Sequence, residues 1–257
     1  MGGLAALGGV QTRTLPGLAD TADLAEVARA IRVPTATYGM VRTAVLAVEN
    51  TQARRGGRVV PPARLDQLGA LTSRAGIALH CDGARLWNAA VAGSVEPRRL
   101  AAPFTTLSVC LSKGLGAPVG SVVICPAGLE GDVREWRRRL GGGMRQAGVL
   151  AAAGLYALRH HVTRLAEDHR RAAELAARLA DVAPDRVDPD QVETNMVLVE
   201  VSDAARSIEQ AAAAGVLIGA TGPTTLRLVT HLDLDDAATR RAGAVLATLL
   251  RAESARP

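Results

Sequence analysis

The chain has 257 residues, 48% hydrophobic and 21% charged, and a mean hydropathy of +0.14. It is long enough for one large domain, or a medium domain with a small appendage, around a sizeable core, which excludes a disordered chain. The formal charge of +5 invites a nucleic-acid reading, but the arginines are dispersed, with only short runs such as Arg137-Arg138-Arg139. No aromatic stripe accompanies them to stack bases, so solvated faces and no nucleic-acid partner are expected.

In chain order, residues 22–32 suit a short helix, ended by the breaker-like VPTATYG. TAVLAVE (43–49) is a continuous apolar run of strand length, the type expected in a sheet covered on both faces. PPARLDQLGALTSRAG (61–76) opens on proline and closes on glycine, the start and stop signals of a helix. IALHC (77–81) is the next strand, followed by the turn DGAR and two short helices, LWNAAVAG and PRRLAAP. TTLSVCLS (105–112) and GSVVIC (120–125) are two more strands, and a long helical pattern runs from Gly148 to about Asp181. The Pro/Asp connector VAPDRVDPDQ (182–191) then marks a boundary. Beyond it come the strand TNMVLVEV, the helix DAARSIEQAAAAG, short strands around VLIGA and TLRLVTHL, and a last helix from Asp235. Alternating strands and helices predict an α/β domain with a mostly parallel sheet over residues 1–181 and a small α+β domain over 182–257.

No apolar run approaches the roughly 20 residues that span a bilayer, and MGGLAALGGVQTR lacks the basic start of a secretory signal. Three cysteines (Cys81, Cys110, Cys125) without CxxC spacing indicate neither a disulfide framework nor a metal site. The expectation is a soluble, reduced, cytoplasmic protein without a membrane partner.

Of the 30 basic residues one is lysine, Lys113, and the rest are arginine. Arginine stays protonated, whereas a lysine can lose its proton and act as an amine nucleophile, so Lys113 is a candidate for Schiff-base chemistry. Lys113 follows one predicted strand and Asp82 another. Ligands of open α/β sheets sit beyond the carboxyl ends of the strands, so both groups can converge on one crevice. An amine with a carboxylate there fits pyridoxal 5'-phosphate: the lysine forms the imine, and the acid keeps the pyridine nitrogen protonated. An Asx-turn or helix cap is the plainer role for Asp82. Arg85, on the same turn, is either a cofactor or substrate contact or a surface arginine. His80 and His231 remain ambiguous, His160-His161 suit a surface or interface, and Cys110 suits the core.

ENTQARRGGRVVPP, LHCDGARLWNAAV, CLSKGLGAPVGSV, RRLGGGMRQAGVLAAAGLYAL and LRLVTHLD, in that family's order, resemble signatures of the low-specificity threonine aldolases. These belong to the β-eliminating lyase superfamily, with the aspartate-aminotransferase-like fold (fold type I). The resemblance implies a pyridoxal-phosphate aldehyde-lyase that cleaves threonine or allo-threonine to glycine and an aldehyde, working as a homo-oligomer, dimer or tetramer. It implies that Lys113 carries the cofactor, Asp82 binds the pyridine nitrogen, and Arg85 contacts the cofactor's phenolic oxygen or the substrate carboxylate. Arg227 would clamp that carboxylate, and Arg145 would lie near the cofactor phosphate. The loop reads ENTQA where the family usually has ENTHN, so Gln52 and Ala53 replace a histidine and an asparagine. MGGLAALGGVQ resembles the segment after the family's cofactor-stacking histidine, so the large domain is expected to be truncated at its N-terminus, without its phosphate loop. A non-catalytic remnant and a β-eliminating lyase on the same scaffold are the alternatives.

Overall fold

The computed structural model describes residues 2–33, 39 and 41–254. Two short helices, α1 (Gly3–Gly8) and α2 (Leu24–Ala30), lead into strand β1 (Val45–Glu49). Most of the VPTATYG breaker lies outside the described residues. Helix α3 (Pro62–Ala75) starts on a proline, where no intrahelical N–H is needed, and ends at Gly76, whose φ of 62° suits a residue without a Cβ. Its Leu65, Leu68 and Leu71 recur at helical spacing and are buried. Full burial contributes roughly 1.5–3 kcal/mol per such side chain.

Strand β2 (Ala78–Gly83), helices α4 (Leu86–Ala92) and α5 (Pro97–Ala101), and strands β3 (Thr106–Cys110) and β4 (Ser121–Ile124) complete a four-stranded sheet in the order β1-β2-β3-β4. β1, β2 and β3 run parallel and β4 is antiparallel. One face is built from alternate residues Leu46, Val48, Leu79, Cys81, Leu107 and Val109, which form one core with α3 and α4. The opposite face is only partly covered among the described residues: Val45 is 51% exposed and Ala47 exposed, while His80, Thr106, Ser108 and Cys110 are half-buried. The expectation of a sheet covered on both faces is therefore corrected, because Val45 and Ala47 of β1 meet no covering layer among the described residues.

Helices α6 (Glu130–Arg139), α7 (Gly148–His160) and α8 (Leu165–Ala180) follow. The single long helical stretch expected from Gly148 onward is two helices. α7 ends at His161, and the β-branched Val162 and Thr163 form the turn before Leu165. α8 buries Leu165, Asp168, Ala172, Leu175, Ala176 and Leu179 along one face.

The second sheet comprises β5 (Met196–Glu200), β6 (Gly219–Ala220) and β7 (Thr225–Val229), antiparallel in the order β5-β7-β6, with helices α9 (Ala204–Ala213) and α10 (Asp236–Ser254). Its core joins Val197, Val199, Leu226 and Leu228 to Leu175 and Leu179 of α8 and to Leu246 and Leu250 of α10. No helix among the described residues is long and apolar enough to cross a membrane.

The two sheets are tied by the ENTQARRGG loop. Arg58 pairs with Glu193 at 2.7 Å, Val59 N–H donates to Glu193 Oε2 at 2.6 Å, and Thr194 Oγ1 donates to the Gly57 carbonyl at 2.7 Å. Asn50, fully buried, accepts from Val60 N–H at 3.1 Å and closes the same loop.

Candidate active site

In the β1–β2 register Glu49 lies opposite Asp82, and in β2–β3 Asp82 lies opposite Ser108. Glu49, Asp82 and Lys113 thus stand at or just past the carboxyl ends of three adjacent parallel strands. Asp82 is exposed, and its Oδ1 accepts from Ala84 N–H at 3.1 Å. The Asx-turn role is present, and the carboxylate's other oxygen has no donor among the described residues. His80 and Asp82 share one face of β2, by the period of two. His80 Nδ1 is spent on Thr106 Oγ1 at 2.8 Å.

Arg85 caps α4 and is half-buried. Burial, and then the like charge of Arg227, lower the proton affinity of its guanidinium; Glu49, Cys110 and Asp82 oppose them. Its side chain thus lies within the electrostatic reach of Arg227 on β7 and of Glu49, Cys110 and Asp82 on the first sheet. Arg227 lies on β7 opposite Leu198 of β5 and is half-buried. Its Nε is buried without a hydrogen-bond partner among the described residues. A buried N–H left unpaired costs roughly 1–3 kcal/mol, more when charged, so this donor is poised for an acceptor that binds.

Lys113 is exposed, at the tip of a loop that its own backbone closes. Leu111 N–H donates to the Gly120 carbonyl at 2.9 Å, Ala117 N–H to Leu111 at 3.0 Å, and Gly116 N–H to Lys113 at 2.9 Å. Leu115 and Ala117 drop into a small core with Ala157 and Leu165. The loop is held from below, since His161 Nδ1–H donates to the Leu115 carbonyl at 2.6 Å. Of the expected surface pair, His160 is exposed and stacks on Tyr156, whereas His161 is half-buried and braces the lysine loop. Cys110 likewise departs from the core role: it is half-buried on the partly covered face, 3.3 Å from Ser121 Oγ. Cys81 is the core thiol, pushed up to about 12 by burial.

The structure thus places Asp82 and Arg85 at the end of β2 and the start of α4, with Lys113 just past the end of neighbouring β3 and Arg227 on β7 within the field of Arg85. Arg145 stands apart, exposed in the glycine-rich loop between α6 and α7, with no hydrogen bond or ion pair among the described residues. His231 is half-exposed beside Asp233, at 3.4 Å. Gln52 organises the loop through its backbone, its carbonyl accepting from Gly57 N–H at 2.8 Å. A largely apolar cavity of about 300 Å³ under His231 contains none of Asp82, Arg85, Lys113 and Arg227.

Sequence reasoning missed Glu49, Asn88 and His169. Asn88 is 2% exposed on α4, and its Nδ2–H donates to His169 Nε2 of α8 at 3.1 Å. Burial, against the opposing pull of Asp168, lowers the His169 pKa to about 4. Between the ordinary value of 6.5 and about 4, the unfolded chain binds the proton and the folded one does not. Stability is therefore lost as pH falls through that window, by at most about 3 kcal/mol. Urea unfolding at pH 7 and pH 4.5 is expected to show this loss, and His169→Gln to remove most of it.

A beta-eliminating lyase family model matches residues 1–204. The chain is 41% identical over 236 residues to the low specificity L-threonine aldolase of Escherichia coli, covering 91% of this chain and 68% of that protein. It is 40% identical over 206 residues to the low-specificity L-threonine aldolase 1 of Arabidopsis thaliana, covering 80% of this chain and 58% of the relative. The chain thus spans roughly 60–70% of these relatives' length. The solved threonine aldolase of Leishmania major aligns with a TM-score of 0.75 at 18% identity, over 94% of this chain and 71% of that one. The serine palmitoyltransferase of Sphingomonas wittichii aligns with a TM-score of 0.68 at 15% identity, over 91% and 60%. Those low identities speak for the fold alone, which is the aspartate-aminotransferase-like fold type I with its mostly parallel sheet. On the sequence match across residues 1–204, the chain belongs to the beta-eliminating lyase family.

Proposed function

We propose that the protein is a pyridoxal-phosphate-dependent lyase that cleaves the Cα–Cβ bond of a β-hydroxy-α-amino acid such as threonine, giving glycine and an aldehyde. The observation that carries this reading is the pair Arg85 and Arg227. Two half-buried guanidiniums, Arg85 from the start of α4 and Arg227 from β7, lie within each other's field, and Arg227 holds a buried Nε without a partner among the described residues. A carboxylate between them neutralises the repulsion and accepts the idle N–H in the planar, forked geometry that guanidinium offers. The amino-acid names of the sequence relatives agree with such a ligand.

The residues present fit the cofactor's ring on the same ground: a sole lysine, and a carboxylate with one oxygen that has no donor among the described residues, stand at or just past the carboxyl ends of adjacent parallel strands. When bound, pyridoxal phosphate supplies a cationic conjugated ring that accepts the electrons of the breaking bond. Lys113 holds the cofactor through its amine. Asp82 keeps a proton on the pyridine nitrogen, its turn bond from Ala84 fixing the carboxylate's direction. Arg227 and Arg85 fix the substrate carboxylate and so set the angle at which the Cα–Cβ bond stands to the ring. Arg145 is assigned to the phosphate, reaching it from a loop that is exposed within one chain. The exposed apolar Val149, Leu155 and Tyr156 of α7 support a homo-oligomer, and a cytoplasmic location belongs to the same proposal.

Protein supplied with pyridoxal phosphate and L-threonine or L-allo-threonine is expected to form glycine and acetaldehyde in equal amounts. Formation of a 2-oxo acid and ammonia would assign β-elimination instead. No turnover and no cofactor uptake would make the chain a non-catalytic relative.

A further inference from the structure

The backbone beside Lys113 packs near Asn88, the buried member of a polar pair with the half-buried His169. A Cβ placed on Gly114 would lie 2.7 Å from Leu165 Cδ2 and 3.4 Å from Asn88 Oδ1. The peptide after the lysine therefore rests directly on α4 and on the first turn of α8. Asn88, 2% exposed, commits its amide N–H to His169 Nε2 at 3.1 Å. The residue before it, Asp168, is fully buried, and its backbone carbonyl accepts from Thr230 Oγ1 at 2.6 Å. Thr230 lies three residues after Arg227, at the end of β7, and is fixed in turn by Asn195 Nδ2–H to its own carbonyl at 2.9 Å. A continuous run of packed and hydrogen-bonded groups thus joins the lysine loop to the strand of the carboxylate clamp.

We propose that Asn88 and His169 are positioning residues, whose hydrogen bond holds the Lys113 loop at a set spacing from the strand carrying Arg227. The proposal rests on the reading of Lys113 and Arg227 given above. Neither Asn88 nor His169 is placed against substrate or cofactor. Their bond supports the Gly114 peptide from beneath and shares a helix with the Asp168–Thr230 link. Without the His169 acceptor, a buried amide N–H is left unpaired and the surface under Gly114 reorganises. A glutamine at position 169 offers an acceptor of similar reach.

The test compares wild type, His169→Ala, Asn88→Leu and His169→Gln, as full chains. Hydrogen exchange of the Gly116 and Ala117 amides, both bonded within the loop, is expected to quicken about tenfold or more in the first two variants. Exchange in α3 is expected to stay at the wild-type rate, and His169→Gln to restore the loop. In parallel, the rate at which pyridoxal phosphate attaches to Lys113 is expected to fall about tenfold in His169→Ala and Asn88→Leu. Loop exchange in His169→Ala equal to wild type overturns the proposal. So does a uniform rise that includes α3, or a His169→Gln variant as defective as the alanine one. Failure of wild type itself to take up the cofactor on Lys113 overturns the functional reading instead, while the exchange comparison still decides whether the pair braces the loop.

Discussion

Lys113→Ala and Lys113→Arg are both expected to reduce turnover of threonine by about a thousandfold or more, with the fold intact. The arginine variant is the sharper of the two. It keeps the positive charge and the stem but stays protonated, so it offers no amine to a carbonyl. A chain that writes arginine at every other basic position tolerates that side chain widely, and Lys113 is exposed in a loop closed by its own backbone. Substitutions at such sites usually change stability by no more than about 0.5 kcal/mol. Lost activity with an unchanged unfolding midpoint would therefore report chemistry. An arginine variant with wild-type turnover would remove the amine from the mechanism.

Arg227→Ala is expected to raise KM for threonine about 100-fold, with kcat lowered less. Two charge-assisted hydrogen bonds to a carboxylate, at roughly 1.5 kcal/mol or more each, amount to about that factor. Arg227→Lys is expected to recover only part, because an ammonium cannot make the forked contact. Arg85→Ala is expected to weaken substrate in the same direction. An amine lacking the carboxylate should then be handled no worse by the variants than by wild type. Steady-state kinetics on L-threonine decides the point: an unchanged KM would place the carboxylate elsewhere.

The sequence made the large elements legible because its punctuation is physical. Pro62 and Gly76 bound α3, and apolar runs mark β1 to β3. A lysine that appears once in a chain of arginines pointed to the amine before any geometry was known. Asp82 and Lys113 could be placed at one sheet edge because parallel strands deliver their carboxyl ends to one side. Four things were not legible. The partly covered face of the first sheet depends on what packs against it, and periodicity in a single strand such as TAVLAVE does not say. The role of His161 depends on its bond to the Leu115 carbonyl, a contact across 46 positions. Asn88 and His169 lie 81 positions apart, and each alone looks like an ordinary polar residue on an amphipathic helix. Glu49 reads as the end of a strand until its register places it beside Asp82. Each miss is set by what lies far along the chain, and nearest-neighbour pattern carries no information about that.

The central claim is that Lys113 is the amine that takes the cofactor. The most direct measurement incubates the protein with pyridoxal phosphate, reduces the adduct with borohydride, and maps the modified peptide by mass spectrometry. The account predicts one pyridoxyl-phosphate group per chain on the peptide containing Lys113. Label confined to the N-terminal amine, or no stable label on a folded chain, would contradict it.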